Sequence, residues 1–470
     1  MSHPRRAGLL LALLAFAQFI SAIDYNIVYV ALPEIGRAVG FSATSLQWVV
    51  SAYAVAFGGL LLLGGRAVDL FGRRRMFVLA LALYGLASLA GGLATDPGAL
   101  VAARAVQGLG GALLLPATLA TINTSFEEGP RRHRALAVWG GAGAVGMALG
   151  SLLGGVLTDW FGWQAVFYVN VPLALGAALV ALRLMAADPA GVRRRRLDLP
   201  GVLTATLGFT ALVFGIVQGP ELGWSSPAAL GAILGGIALV GVFLVIEGRT
   251  ADPLMPLVLL RNRSLVTAMG VTFIFMGTFG AQYYFLTVYL QDVLGFDALR
   301  SGFAFLPSAL VGLVGTKASE KLLGRIGVRS TVLLGLLTGA AGMALLAAGM
   351  SPGGGYAALT PGLVLISLGQ GVTWTAMFVA AGTGVRAEHH GVASAMASTM
   401  QQIGGAVGLA VLVAVATSGA HGAAGAELVP GLRSAGWTAA ALTVLGAAIA
   451  LTLPKPASAA RREPAISVAS

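Results

Sequence analysis

Leu9-Leu-Leu-Ala-Leu-Leu-Ala-Phe-Ala-Gln18-Phe-Ile-Ser-Ala-Ile-Asp24-Tyr-Asn-Ile-Val-Tyr-Val-Ala-Leu-Pro33 is a long apolar stretch with a carboxylate set inside it. About 20 apolar residues of helix cross the hydrocarbon core of a bilayer, so the stretch is long enough to span one. It does not read as a cleaved leader. The run continues through Asp24 and Asn26 to Pro33 without a small-residue cleavage site, and a second apolar run follows almost at once. A retained membrane helix with an acid inside it is therefore the first element.

The rest of the chain repeats the pattern. Apolar runs centre on 9–31, 45–64, 76–94, 98–122, 135–158, 163–186, 199–218, 228–246, 265–289, 302–318, 330–350, 357–380, 391–417 and 434–453. Composition agrees: of 470 residues, 57% are hydrophobic and 10% charged. The mean hydropathy is +0.86. An ordinary soluble domain carries about 25% charged residues, so a soluble enzyme, a disordered chain and a fibrous protein are all excluded. The 67 glycines follow no three-residue period, which excludes collagen. The expected fold class is an all-α polytopic membrane protein with fourteen spans.

An even number of spans puts both termini on one side of the membrane. Of the 29 basic residues, only Arg37, Arg300 and Arg433 then fall in the opposite set of loops. Arg183 lies at a helix end and Arg104 inside the fourth span. Clusters such as Arg73 to Arg75 and Arg193 to Arg196 mark the cytoplasmic side, because basic loops are retained there. The net charge of +11 is thus a topology signal, and no nucleic-acid partner is expected. The lipid bilayer and a small-molecule substrate are the expected partners, with no obligate protein partner evident.

Gly72 and Gly327 lie 255 residues apart, as do the starts of the first and ninth spans, and the same offset carries Gly150 to Gly405. A repeat of this kind predicts two bundles of six helices, at 1–187 and 264–455. A segment at 188–263 would carry spans seven and eight, and 456–470 would be a short cytoplasmic tail. Repeated halves that rock about a central site are typical of secondary transporters.

Cysteine is absent, and the five histidines form no HExxH spacing. There is no phosphate-binding GxxxxGKS/T loop. No metal and no cofactor are expected, and an ion gradient, a partner or the substrate's own gradient must supply the energy.

Asp24 is the only acidic residue placed well inside a span. Burial favours the neutral form of a carboxyl group and a nearby cation favours the charged form, an opposition suited to exchanging a proton for a cation. Arg104 lies within span four, and Gln107, three residues on, shares its helix face. Gly65, Asp69, Gly72 and Arg73 join spans two and three, where Asp69 can cap a helix or pair with an arginine. Gly146, Gly150 and Gly154 recur every four residues in span five, with Ser151 and Gly155 beside them, as in close helix packing. Tyr25, Asn26, Gln107, Phe279, Tyr283, Trp374, Gln401 and Gln402 are candidates to line a cavity. Trp48, Trp160, Trp163, Trp224 and Trp437 lie near outer helix ends and are expected to sit at the membrane surface.

Together these segments resemble the Major Facilitator Superfamily, in its fourteen-span drug:proton antiporter group. Asp24-Tyr-Asn-Ile-Val-Tyr-Val-Ala-Leu-Pro33 resembles the group's first-span signature, Gly65 to Arg74 its cytoplasmic loop motif, and Arg104-Ala-Val-Gln107-Gly108 its fourth-span motif. Gly146 through Gly155 resembles the antiporter motif of span five. Phe167-Tyr-Val-Asn-Val-Pro172 and Tyr289-Leu-Gln-Asp-Val-Leu-Gly295 add further matches. Ser151 stands where the antiporter motif carries proline, and the second half lacks the further acids that some relatives place in the membrane.

The resemblance implies a bundle of six helices on either side of two inserted ones. It also implies proton-coupled export of amphipathic or lipophilic small molecules, as in antibiotic efflux, from a bacterial inner membrane, with Asp24 and Arg104 handling the proton. A dedicated exporter of an endogenous metabolite and a proton-coupled importer of a nutrient are the alternatives. Divalent cations would be poor substrates, since one buried carboxylate does not neutralise two charges.

Overall fold

The computed structural model describes residues 4–42, 44–127, 130–188, 198–250, 253–386, 390–418 and 425–454, and every regular element among them is helical. The expected tail at 456–470 and the arginines at 193–196 lie outside the described residues. The chain forms α1 (Pro4–Val39), α2 (Trp48–Phe71), α3 (Arg73–Gly92), α4 (Pro97–Ser125) and α5 (Pro130–Phe161). It continues through α6 (Ala165–Tyr168), α7 (Asn170–Leu184), α8 (Leu199–Leu222), α9 (Pro227–Arg249) and α10 (Arg263–Phe275). Then come α11 (Gln282–Val288), α12 (Ala298–Gly349), α13 (Tyr356–Gly382), α14 (His390–Thr417) and α15 (Val429–Ala450). Twelve helices or helix runs among the described residues are long and apolar enough to cross a membrane.

The boundaries follow local chemistry. Asp96 caps α4 by accepting from Ala99 N at 3.0 Å, with Pro97 as the first helical residue. Ser226 caps α9 in the same way, ahead of Pro227. These placements satisfy amides that have no partner within the helix. Two of the expected spans, 302–318 and 330–350, fall within the 52 residues of α12. Gly327 breaks that helix with φ 76°, a left-handed conformation that side-chain-bearing residues rarely adopt. Between α10 and α11, Met276–Gly280 makes a π-helical turn, and a second such turn at Tyr289–Val293 follows α11.

Helix contacts fall into families. α1 packs on α5, α2 on α4, and α3 on α4 and α7. Farther along, α10 packs on α14, and α12 on α13 and α15. The two families meet where α5 touches α12 and where α2 touches α14. α8 and α9 pair with each other, and α8 also leans on α2 and α14.

Glycine lets α1 and α5 approach closely. A Cβ on Gly146, Gly150 or Gly154 would lie 2.8, 2.7 or 2.6 Å from the carbonyl oxygens of Phe19, Ile23 and Ile27 respectively. That is backbone against backbone at four-residue intervals on both helices. α14 meets α10 similarly, since Cβ atoms on Gly404 and Gly408 would strike Phe273 and Gly277. Gly405, the position reached by the fixed offset, faces only the Met276 side chain. The contacting residues of span thirteen are therefore displaced by one from that arithmetic.

Trp163 departs from its expected surface position. It is 4% exposed and meets Phe167 edge-on, whereas Trp160, Trp224 and Trp437 are exposed.

Candidate functional site

α1, α3, α4 and α7 each bring a polar side chain to one enclosed point. Asp24 is fully buried, and Arg104 retains 2% exposure. The two form an ion pair of 2.8 Å between Arg104 Nη1 and Asp24 Oδ2. Gln107 Nε2 and Asn170 Nδ2 both donate to Asp24 Oδ1, at 2.8 and 2.6 Å. Gln107 Nε2 also lies 2.8 Å from Ser88 Oγ, which donates to the Tyr84 carbonyl. Gln107 Oε1 accepts from Arg104 Nη1 at 2.6 Å. Arg104 Nε donates to the Val49 carbonyl at 2.8 Å, and its guanidinium sits 4.6 Å from the Tyr53 ring centre.

The geometry follows from helix spacing. Arg104 and Gln107, three apart on α4, present their heads together. Gly108 faces α2 beside them, and a Cβ there would lie 2.5 Å from the Tyr53 carbonyl. That close approach brings Tyr53 over the guanidinium. A buried ion pair gains from its attraction only when further hydrogen bonds support it, and here Gln107, Asn170 and the Val49 carbonyl supply them.

Asp24 and Arg104, single charges in separate spans, are thus partners. The cation beside Asp24 is a fixed guanidinium rather than space for a cationic ligand. Gln107 is held within this network. Asn26 donates to the Met147 carbonyl at 2.8 Å, so it ties α1 to α5. Asn170, Ser88 and Tyr53 were not among the sequence-predicted site residues. The signal for Asn170 is its place in the run from Phe167 to Pro172 that resembles the family.

The aromatic candidates divide. Tyr25 and Tyr29 have ring centres 6.0 Å apart, Tyr29 and Tyr283 5.8 Å, and Tyr283 and Phe305 5.6 Å. This row runs from α1 to α11 and α12, with Tyr25 also 6.4 Å from Tyr53. Phe279 is a packing residue: it is fully buried, stacks on Phe275 at 4.8 Å and fills the space over Gly339. Trp374 lies 5.9 Å from Phe275 and is half-buried. Gln402 packs its Cβ against Gly58, at 2.7 Å from where a Cβ would stand. The enclosed Gln401 Nε2 has no hydrogen-bond partner.

One end of the helix assembly is fastened across both families. Gln291 Nε2 donates to the Val30 carbonyl at 2.8 Å, and Arg37 pairs with Asp292 at 3.7 Å. A Cβ on Gly155 would lie 2.5 Å from the Ala298 carbonyl, and one on Gly302 2.8 Å from the Ser151 carbonyl. Gly155 and the Ser151 backbone therefore pack α5 against α12.

At the opposite end, Gly72 turns α2 into α3 with φ 93°. Arg73 is the first residue of α3, and the Asp188 carboxylate accepts from the Arg74 and Arg75 amides, both at 3.1 Å. Asp188 is the carboxylate observed at this turn, whereas the side chain of Asp69 is outside the described set. Gly65 has no atom within 4 Å of its Cβ position, while a Cβ on neighbouring Gly64 would run into the Ala112 carbonyl. Close packing thus falls on Gly64. In Gly72→Ala, the methyl would collide with Asp188 and the left-handed backbone would be strained. Loss of about 2 kcal/mol is expected, read as a lower thermal midpoint, whereas Gly65→Ala leaves the midpoint unchanged or raised.

Residues 14–409 match the Major Facilitator Superfamily family model. The chain belongs to the Major Facilitator Superfamily. Within that superfamily it is 41% identical over 423 residues to the puromycin resistance protein pur8 of Streptomyces alboniger, covering 88% of this chain and 82% of that one. It is likewise 41% identical over 426 residues to the cephamycin export protein CmcT of Amycolatopsis lactamdurans, covering 88% and 85%. Among solved structures, the POT family transporter PepTSo superposes with a TM-score of 0.68 at 15% identity, over 96% of this chain and 98% of that one. That likeness concerns the fold of this superfamily member alone.

Proposed function

We infer that the protein exports amphipathic or lipophilic small molecules by exchange for protons. The buried Asp24–Arg104 pair carries this reading, since it places a titratable group under a fixed cation inside the membrane. A proton arriving at Asp24 removes the charge that holds Arg104, and the tie between α1 and α4 weakens. The other side of α1 bears on the α5 glycines, so the change at Asp24 reaches the helix pair that touches α12. The likeness to resistance and export proteins favours export over nutrient import.

The chain crosses the membrane fourteen times in this reading. α2 and the two parts of α12 on either side of Gly327 each count as a crossing, and α8 and α9 are inserted between bundles of six. Both termini lie in the cytoplasm of a bacterial inner membrane, as the arginine distribution requires. The end fastened by Arg37 and Asp292 then faces outward, and transport alternates between access from the two sides.

Proteoliposomes with an imposed pH gradient test the exchange. Addition of a lipophilic antibiotic such as puromycin should drive proton movement opposite to drug movement. Movement of both in one direction would establish symport, and drug flux indifferent to the gradient would remove the coupling.

A further inference from the structure

Asp198 and Glu247 are buried acids outside the Asp24 network, at 7% and 3% exposure. Asp198 caps α8, its Oδ1 accepting from Gly201 N at 3.0 Å. Glu247, in the last turn of α9, accepts from Met255 N through Oε2 at 2.8 Å, tying the helix to the segment that follows. Each carboxyl group thus spends one oxygen on a backbone amide.

The second oxygens are the unusual feature. Asp198 Oδ2 and Glu247 Oε1 are both enclosed, and neither has a hydrogen-bond partner among the described residues. Both lie over Gly201: a Cβ there would strike Asp198 Oδ2 and lie 2.9 Å from Glu247 Oε1. The two carboxyl groups therefore stand close to each other over one glycine. Two ionised oxygens in that position would repel each other with no donor between them, whereas a single proton converts the repulsion into a short O–H···O bond.

Other occupants fit less well. A metal ion needs more ligands, and among the described residues no group of three or more His, Cys, Asp or Glu comes together. Around the pair, α2 carries the buried Arg66 and also Asp69, whose side chain is outside the described set. Arg249 at the end of α9 and Arg261 in the next turn are exposed, and α14 carries the exposed His390. Among the described residues, the immediate polar neighbours of Glu247 are Asp198 and the Leu254 and Met255 amides, while Arg193 to Arg196, which precede Asp198 in the chain, lie outside them.

We propose that Asp198 and Glu247 form a second proton-binding site, in which one proton is shared between Asp198 Oδ2 and Glu247 Oε1 and fastens the first turn of α8 to the last turn of α9. The proton comes from water and returns to it, with no bond between heavy atoms changed. When it leaves, the two carboxylates repel and this end of the hairpin loosens. α8 is joined to α2 by the hydrogen bond from Thr206 Oγ1 to the Gly59 carbonyl at 3.0 Å. α2 also supplies the Val49 carbonyl that holds Arg104. The site stands on its own geometry and does not need Asp24 to be the coupling group.

Infrared titration of the purified full-length protein in lipid nanodiscs reads the proton directly. The wild type should show a protonated-carboxyl stretch at neutral pH that disappears in alkali and shifts on carbon-13 labelling of Asp or Glu. Asp24→Asn should retain that band, while Glu247→Gln and Asp198→Asn should each lose it. In either of the latter, the new amide supplies a permanent N–H donor in place of the proton. A band that survives both substitutions, or a wild type with no protonated Asp or Glu signal, overturns the proposal. The labelled wild type gives that reading even if a variant fails to fold.

Discussion

Gly150→Leu is expected to prevent stable assembly of the helix bundle. A Cβ alone would stand 2.7 Å from the Ile23 carbonyl oxygen and 3.1 Å from Asn26 Cβ, so a full leucine side chain forces α1 and α5 apart. Overpacking a tight interior costs about 1–3 kcal/mol when side chains can yield, and here part of the obstacle is backbone. The separation also disturbs the hydrogen bond from Asn26 to Met147 and the placement of Asp24, which lies between the two contacted residues Ile23 and Asn26. Little monodisperse protein should survive extraction, and the remainder should melt well below the wild type. Gly141→Leu is the matched control. It lies on the same helix, has nothing within 4 Å of its Cβ position, and exchanges glycine for a better helix former. Equal melting of the two variants would show that the α1–α5 contact is not a close-packed interface.

The membrane architecture was legible because a bilayer leaves few solutions to an apolar chain. Helices must satisfy their own backbone groups, so long apolar runs with polar punctuation translate directly into spanning elements. Gly146, Gly150 and Gly154 were readable for the same reason, since only glycine at a four-residue period lets two helices touch backbone to backbone. Asp24 and Arg104 stood out as charges where charge is expensive, but their pairing was not visible, because 80 residues separate them. That Asn170 and Ser88 join this network is not legible either, although Asn170 lies in the run from Phe167 to Pro172, because an amide or hydroxyl costs much less to bury than an ion and so marks a sequence only faintly.

Errors of one or two positions have a common origin. The glycine-rich end of α2 is legible in the sequence, but the Cβ direction that meets α4 is that of Gly64 and not of the expected Gly65. The fixed offset of 255 residues reached Gly405, although the faces that touch α10 belong to Gly404 and Gly408. One residue turns a helix position by about 100°, enough to move it from an interface to its flank. Trp163 was assigned to the membrane surface by its place in the sequence, yet the bend after Gly162, with φ 80°, precedes its packing on Phe167. Asp188 lay beyond the reach of any motif, since its partners are backbone amides 113 and 114 residues away.

Replacing Asp24 and Arg104 singly and together should separate their structural from their transport role. Asp24→Asn leaves a guanidinium at 2% exposure with only neutral acceptors, and Arg104→Gln leaves the carboxylate without its cation. Removing one partner of a buried ion pair costs about 3–5 kcal/mol, mostly because the other charge is stranded. The double variant strands neither charge and keeps amides that can hydrogen-bond to Ser88, Asn170 and the Val49 carbonyl. Its stability loss should therefore fall short of the sum of the two single losses by about 1–3 kcal/mol, measured as denaturation midpoints in lipid nanodiscs. Transport should follow a different pattern. Concentrative export against a gradient should disappear in all three variants, because none retains a group that takes up a proton beneath a fixed cation. Slow downhill flux of a neutral substrate should persist in the double variant, which strands neither charge. Strictly additive stability losses would mean that Asp24 and Arg104 are not energetically coupled. Full gradient-driven export by the double variant would take proton coupling away from Asp24 and leave the carboxyl pair of α8 and α9 as the next site to test.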